Sequence, residues 1–295
     1  MVEFGRLITA MVTPFNDEGG IHWEETSRLI DYLIDVQQID TLVIAGTTGE
    51  SPTLTDAEKV QLFEFVVKHA AGRAKIIAGT GSNSTHHSIQ LTREAEKAGV
   101  DGVLLVVPYY NKPNQEGMYQ HFSAIAKATS LPVMLYNVPG RTGACLSVET
   151  TLRLAAIDNI VATKECASIE QVALISGAAP EGFKVYSGDD SSVLPALAVG
   201  GYGIVSVAGH IVGASMKEMI HAYVKGDVSK AASINHRLLP VFKGLFEAPH
   251  PVPNPVAVKY ALTLRGYSVG TVRLPLVPPT EQEKEFIRHL IGTIS

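Results

Sequence analysis

The chain has 295 residues, 46% hydrophobic and 18% charged, with a formal net charge of −5. That is a globular composition without the basic footprint of a nucleic-acid binder, and no apolar run reaches the roughly 18 residues that span a bilayer. The opening stretch "MVEFGRLITAMVTPF" lacks a basic segment, a long apolar block and a small-residue cleavage site, so it reads as the first structural element of a cytoplasmic protein.

Short apolar, β-branched runs recur along the chain: "LITAMV", "TLVIAG", "KIIAGTG", "GVLLVVP", "PVMLYNV", "IVATKE", "FKVYSGD" and "GIVSVAG". None alternates cleanly between polar and apolar, which suits parallel strands buried on both faces. Segments of helical period lie between them. Leu29, Ile30, Leu33 and Ile34 form one apolar stripe, and Val60, Phe63, Val67 and Ala70 form another. Thr55 with Glu58 reads as a capping box, Asn114 and Ser147 as N-caps, and Gly72 and Gly99 as helix stops.

Eight strand–helix units with right-handed crossovers predict an α/β fold, a closed (β/α)8 TIM barrel. The alternative is a doubly wound open sheet, but no G-x-G-x-x-G follows a strand. "AGTGSNS" has Ser84 where the third glycine belongs. From about Met216 the chain is helical. It turns stiffly through "APHPVPNP" and ends in a helix opened by Thr280 and Glu283. The expected organisation is a barrel over residues 1–224 and a C-terminal helical extension over 225–295.

In such a barrel the side chains at the C-terminal strand ends converge on one mouth, where active sites sit. Here those ends carry "GTTGES", "PYYNKP", "YNVPGRTG", Lys164, "SGDD" and "SVAGH". An ammonium in a low-dielectric interior is costly, whereas a neutral amine attacks carbonyls to give a Schiff base. Lys164 is therefore either such a nucleophile or a lysine paired with adjacent Glu165. "GTTGES" is either an anion cradle of free amides and hydroxyls or an ordinary turn, with Glu50 binding, capping or ordering it. Tyr109, Tyr110 and Tyr136 are proton shuttles partnered with Thr47, or core residues with wet tips. Arg141 is a carboxylate clamp or a surface ion-pair partner. Asp189 and Asp190 ligate Mg²⁺ or cap the next helix. His86 and His87 are adjacent and share no helix face, so no histidine metal site is expected. The two cysteines, Cys145 and Cys166, read as reduced thiols.

The set "GTTGES", "PYYNKP", "YNVPGRTG", "TKE" and "SGDD", in that order on successive strands, resembles the dihydrodipicolinate synthase family. That family belongs to the pyruvate-dependent class I aldolases of the N-acetylneuraminate lyase superfamily. The resemblance covers essentially the whole chain, and the arginine of "NVPGRTG" is its most specific part. It implies a lyase of lysine and diaminopimelate biosynthesis that condenses pyruvate with L-aspartate-4-semialdehyde. Lys164 would form the pyruvate imine and Tyr136 would carry protons. Thr47 and Tyr110 would complete a hydroxyl relay, Tyr110 reaching in from a neighbouring subunit. Thr48 would hold the pyruvate carboxylate, Val205 and Gly188 would line the site, and Arg141 would bind the carboxylate of the second substrate. The resemblance further implies no metal or organic cofactor, the imine being the electron sink, and a homotetramer built as a dimer of dimers.

One departure concerns feedback. Lysine-inhibited relatives bind L-lysine with a serine, an asparagine, a tyrosine, two histidines and a glutamate. Ser51, Asn83 and Tyr109 match, but Asp56 and Lys59 replace the histidines and His87 replaces the glutamate. Feedback by lysine should therefore be weak or absent. Two other functions compete: another Schiff-base pyruvate aldolase acting on a 2-keto-3-deoxy sugar acid or a sialic acid, and a non-catalytic barrel that binds a keto acid.

Overall fold

The computed structural model describes residues 3–294. Eight strands close into a barrel in chain order: β1 (Leu7–Ala10), β2 (Thr41–Ile44), β3 (Lys75–Gly79), β4 (Gly102–Val106), β5 (Val133–Asn137), β6 (Ile160–Glu165), β7 (Lys184–Ser187) and β8 (Gly203–Ser206). Every pairing is parallel, and β8 returns to pair with β1. Each strand falls within one of the eight apolar runs, so the barrel replaces the open sheet. The period of two explains their unbroken hydrophobicity. Ile8, Val43, Ile77, Met134, Ala162 and Val205 pack together inside the barrel. Their neighbours Leu7, Leu42, Ile76, Leu135 and Ile204 pack outward into the main core under the helices.

Local chemistry sets the helix ends. Thr55 and Glu58 form the reciprocal capping box, and so do Thr280 and Glu283. The Asn114 and Ser147 side chains accept from the amides of Gly117 and Thr150. Each such cap contributes about 1 kcal/mol. Gly99 leaves its helix at φ +83° as a left-handed stop, whereas before Gly72 the left-handed turn already begins at Ala71. The second stripe needs correction. The buried face of the helix Asp56–Ala70 is Lys59, Leu62, Phe63, Val66 and Ala70, while Val60 and Val67 are half-buried. The face starts one residue earlier because the long Lys59 stem can be buried beside apolar neighbours.

After β8, the eighth barrel helix runs Gly209–Val224. Three more helices follow: Val228–Gly244, Val256–Leu264 and Glu281–Gly292. Ile234, Val241, Leu262 and Ile287 of these helices join the same hydrophobic cluster as the barrel's outer face, so the extension shares the barrel's core. Among the described residues no helix is long and apolar enough to cross a membrane.

Candidate active site

Lys164 lies on β6 two residues after Ala162, so strand alternation turns both into the barrel interior. Tyr136 on β5 is its ladder partner and also faces inward. Each is 5% exposed, and the lysine Nζ stands 4.3 Å from the centre of the phenol ring. Glu165 is one residue further on and therefore points the other way, toward the helices. Its carboxylate accepts from Asn137 Nδ2 at 3.1 Å, the Ala167 amide at 2.7 Å and Gln171 Nε2 at 3.1 Å. The Lys164–Glu165 ion pair considered from sequence does not form. Among the described residues Lys164 has no acidic partner within salt-bridge distance.

Gly188 follows β7 and supplies the space that the lysine stem occupies. A Cβ there would meet Lys164 Cε at 2.7 Å and Cys166 Sγ at 2.2 Å. Burial pushes the Cys166 thiol up to about 11, so at neutral pH it is a packing group and not a competing nucleophile. Val205 on β8 is buried in the same interior cluster as Tyr136.

The "GTTGES" turn follows β2. It is tight: Glu50 sits at φ +57°, its amide donates to Thr47 O at 3.1 Å, and a Cβ on Gly49 would crowd Met11 O at 3.1 Å. Of the three roles considered for Glu50, the observed one is ordering the turn. Its carboxylate forms an ion pair with Lys259 Nζ at 2.7 Å and accepts the Arg273 amide at 2.8 Å. Thr48 is buried and accepts from Asn254 Nδ2 at 2.9 Å, while Thr47 is half-buried. Asn254, Lys259 and Arg273 all come from the extension, and the sequence reading did not single them out. A signal existed for one of them: Lys259 interrupts the otherwise apolar run "VAVKYAL".

Tyr110 adopts φ +71° beyond β4, with its side chain 90% exposed. Among the described residues no hydrogen bond joins Thr47, Tyr136 and Tyr110, so one chain alone does not assemble that relay. Arg141 stands exposed in the short helix Pro139–Thr142. The far end of that loop is pinned by Asn137, which receives the Leu146 amide at 2.9 Å and donates to Leu146 O at 3.2 Å. Asn137 also donates to Glu165, so the arginine turn is tied to the lysine strand.

The acidic pair acts as structural capping. Asp189 accepts from Ser191 and Ser192, and Asp190 receives the Val207 and Ala208 amides and the Ser206 hydroxyl. Asp190 is fully buried, and desolvation pushes it up to about 6 despite those bonds. Beside it, buried His210 accepts the Val12 amide at Nε2 and so donates from Nδ1 to Val207 O. Burial holds that imidazole down at about 4, so it is a neutral strut between β8 and the segment after β1.

The mouth thus combines an unpaired buried amine, a phenol over it, and two hydroxyls on a rigid turn. A family model described as the dihydrodipicolinate synthetase family matches residues 3–294. The chain belongs to that family. Among its relatives, 4-hydroxy-tetrahydrodipicolinate synthase of Bacillus subtilis is 58% identical over 295 residues, covering 99% of this chain and 100% of that one. The crystal structure of a Bacillus anthracis dihydrodipicolinate synthase superposes with TM-score 0.97 at 50% identity, over 100% of both chains. A dihydrodipicolinate synthase from Cyanidioschyzon merolae, solved with lysine bound, gives TM-score 0.95 at 44% identity over 98% of each chain.

Within this dihydrodipicolinate synthase framework, the positions that depart from the lysine-binding set are already occupied by one another. His87 Nε2 lies 2.8 Å from Asp56, and Lys59 Nζ lies 3.8 Å from the same carboxylate. Burial lowers the Lys59 ammonium's affinity for its proton, with Asp56 opposing.

Proposed function

We propose that this chain is a 4-hydroxy-tetrahydrodipicolinate synthase, condensing pyruvate with L-aspartate-4-semialdehyde in lysine and diaminopimelate biosynthesis. The observation that carries the reading is the Lys164 amine, without a counter-ion among the described residues, held 4.3 Å over the Tyr136 ring at the barrel mouth. The 58% identity to the Bacillus subtilis synthase supports it across the full chain.

The chemistry follows from those groups. Lys164 Nζ adds to the pyruvate ketone and water leaves, giving an imine that withdraws electrons from the methyl carbon. Loss of a methyl proton gives the enamine, whose carbon attacks the semialdehyde. The oxygen so formed takes up a proton. The substrate amine then displaces Lys164 and closes the ring, so one water is released overall. Tyr136 is placed to carry protons between these atoms. Thr48 receives the pyruvate carboxylate on the "GTTGES" turn, with Val205 and Gly188 lining the cavity. Arg141, held on its short helix, offers the bidentate fork that suits the second substrate's carboxylate. The imine is the electron sink, so this mechanism uses no metal or organic cofactor. The exposure of Tyr110 supports a second copy of the chain in which this phenol completes the relay with Thr47 and Tyr136. Its setting is a cytoplasmic homotetramer.

A coupled assay with aspartate semialdehyde and a reductase for the product tests the reading. Turnover should exceed that with any polyol aldehyde, because Arg141 pairs with a carboxylate and a polyol has none. Faster turnover of a sugar-derived aldehyde would overturn it, and so would pyruvate binding with no turnover.

Two further outcomes are expected. Gly188→Ala should slow borohydride-trapped adduct formation with pyruvate by about tenfold or more, ~1.4 kcal/mol, with the circular dichroism spectrum unchanged. Trapping at the wild-type rate would show that the lysine stem has room to move. L-lysine added up to millimolar levels should leave the rate within about twofold, because the Lys59 ammonium repels a cationic ligand and His87 supplies no carboxylate. Half-maximal inhibition below about 1 mM would contradict that reading of the Asp56, Lys59 and His87 cluster.

A further inference from the structure

We propose that Lys259 is a positioning residue for pyruvate, fixing through Glu50 the Thr47–Thr48 turn that receives the substrate carboxylate. The inference rests on the function proposed above and assigns the helical extension a part in it. Lys259 and Glu50 lie 2.7 Å apart with their side chains 2% and 1% exposed. A pair so dry gives little net stability over an apolar replacement, since desolvation offsets the attraction. Its role is better sought in what it holds in place.

What it holds is a strained turn. Glu50 is a non-glycine residue at φ +57°, a conformation of order 1 kcal/mol or more above the usual regions that persists only when its surroundings over-determine it. Here they do. The carboxylate takes Lys259 on one oxygen and the Arg273 amide on the other. Lys259 is itself fixed by donating to Thr271 O at 2.8 Å and by standing 4.1 Å over the Phe15 ring. The Arg273 guanidinium closes the far side of the turn, donating to Thr53 O at 2.7 Å and pairing with Glu58 at 2.5 Å.

Asn254 adds the chemical consequence. Because its Nδ2 donates to Thr48 Oγ1, that oxygen is used as an acceptor and the hydroxyl proton must point elsewhere. Thr48 is thereby left as a donor, which is what a carboxylate requires. Neither Lys259 nor Asn254 needs to touch a reacting atom, since both act through the turn.

The test compares Lys259→Met and Asn254→Ala with the wild-type protein. It measures Michaelis constants for both substrates, borohydride-trapped adduct at saturating pyruvate, and thermal stability. Lys259→Met should raise the pyruvate KM about tenfold and Asn254→Ala about fivefold, roughly 1.4 and 1 kcal/mol. The KM for the semialdehyde should stay within about twofold, and the adduct at saturating pyruvate should reach the wild-type amount. A lower Tm for Lys259→Met is expected on either view, because the buried Glu50 loses its partner, but a merely structural extension predicts only less active protein, with both KM values at wild type. That result overturns the proposal. If Lys259→Met does not fold, Asn254→Ala decides alone, and a wild-type pyruvate KM there overturns it. Failure of the wild-type protein itself to form any pyruvate adduct would instead sink the underlying function.

Discussion

Lys164→Met should yield no borohydride-stable adduct with pyruvate and should lose on the order of 10³-fold or more in kcat, at least ~4 kcal/mol of barrier lowering. In the proposed mechanism this side chain carries the substrate covalently and acts as its electron sink. Methionine keeps an unbranched stem against Gly188 and the Tyr136 ring, so packing is retained. Lys164 has no salt-bridge partner among the described residues, so its loss leaves no buried counter-charge behind. The protein should therefore remain folded, with a Tm close to or above that of the wild type. Lys164→Arg separates charge from nucleophilicity: it keeps a cation that forms no imine, and it should be equally inactive. Appreciable turnover by either variant would show that the barrel mouth works through another group.

Tyr136→Phe should lower kcat by roughly 10²- to 10³-fold, the range for removing a positioned proton carrier. The ring is buried inside the barrel beside Met134, Ala162 and Tyr186, and phenylalanine preserves that packing. Stability should change by less than about 1 kcal/mol. Unlike the lysine variants, this one should still form the trapped adduct with pyruvate, more slowly, because the amine remains in place. Full kcat with Tyr136→Phe would assign proton transfer to another phenol or to water. Complete absence of the adduct would mean that the phenol is needed to set the amine itself.

The barrel was legible in the sequence because parallel strands buried on both faces must be apolar throughout, and eight such runs separated by capped helices, with no G-x-G-x-x-G after a strand, favour closure over a doubly wound open sheet. The caps at Thr55, Asn114, Ser147 and Thr280 were legible because they are local, each side chain accepting from the amide three residues further along the chain. Lys164 stood out as a cation where a core strand ends. Strand alternation also settles in the structure what adjacency left open. Glu165 is next to Lys164 in the chain, yet it serves Asn137 and Gln171 on the opposite face.

The rest depended on contacts between distant parts of the chain. Glu50 and Lys259 are 209 positions apart, and no local pattern pairs them. Asn254 lies in a proline-rich turn that reads as a simple connection until its amide is seen on Thr48. The face of the helix Asp56–Ala70 was misplaced because a hydrophobic periodicity has no place for a buried lysine, and Lys59 starts that face. Tyr110 illustrates the limit of a single chain. Its exposure gives it no work within its own barrel, and the proposed relay needs a second copy.

The most direct measurement is reduction with borohydride in the presence of isotopically labelled pyruvate, followed by peptide mass mapping. One modified site is expected, the peptide that carries Lys164, with no modification when either pyruvate or borohydride is omitted. Label on Lys259, Lys59 or any other lysine with Lys164 unmodified, or no label at all, would contradict it.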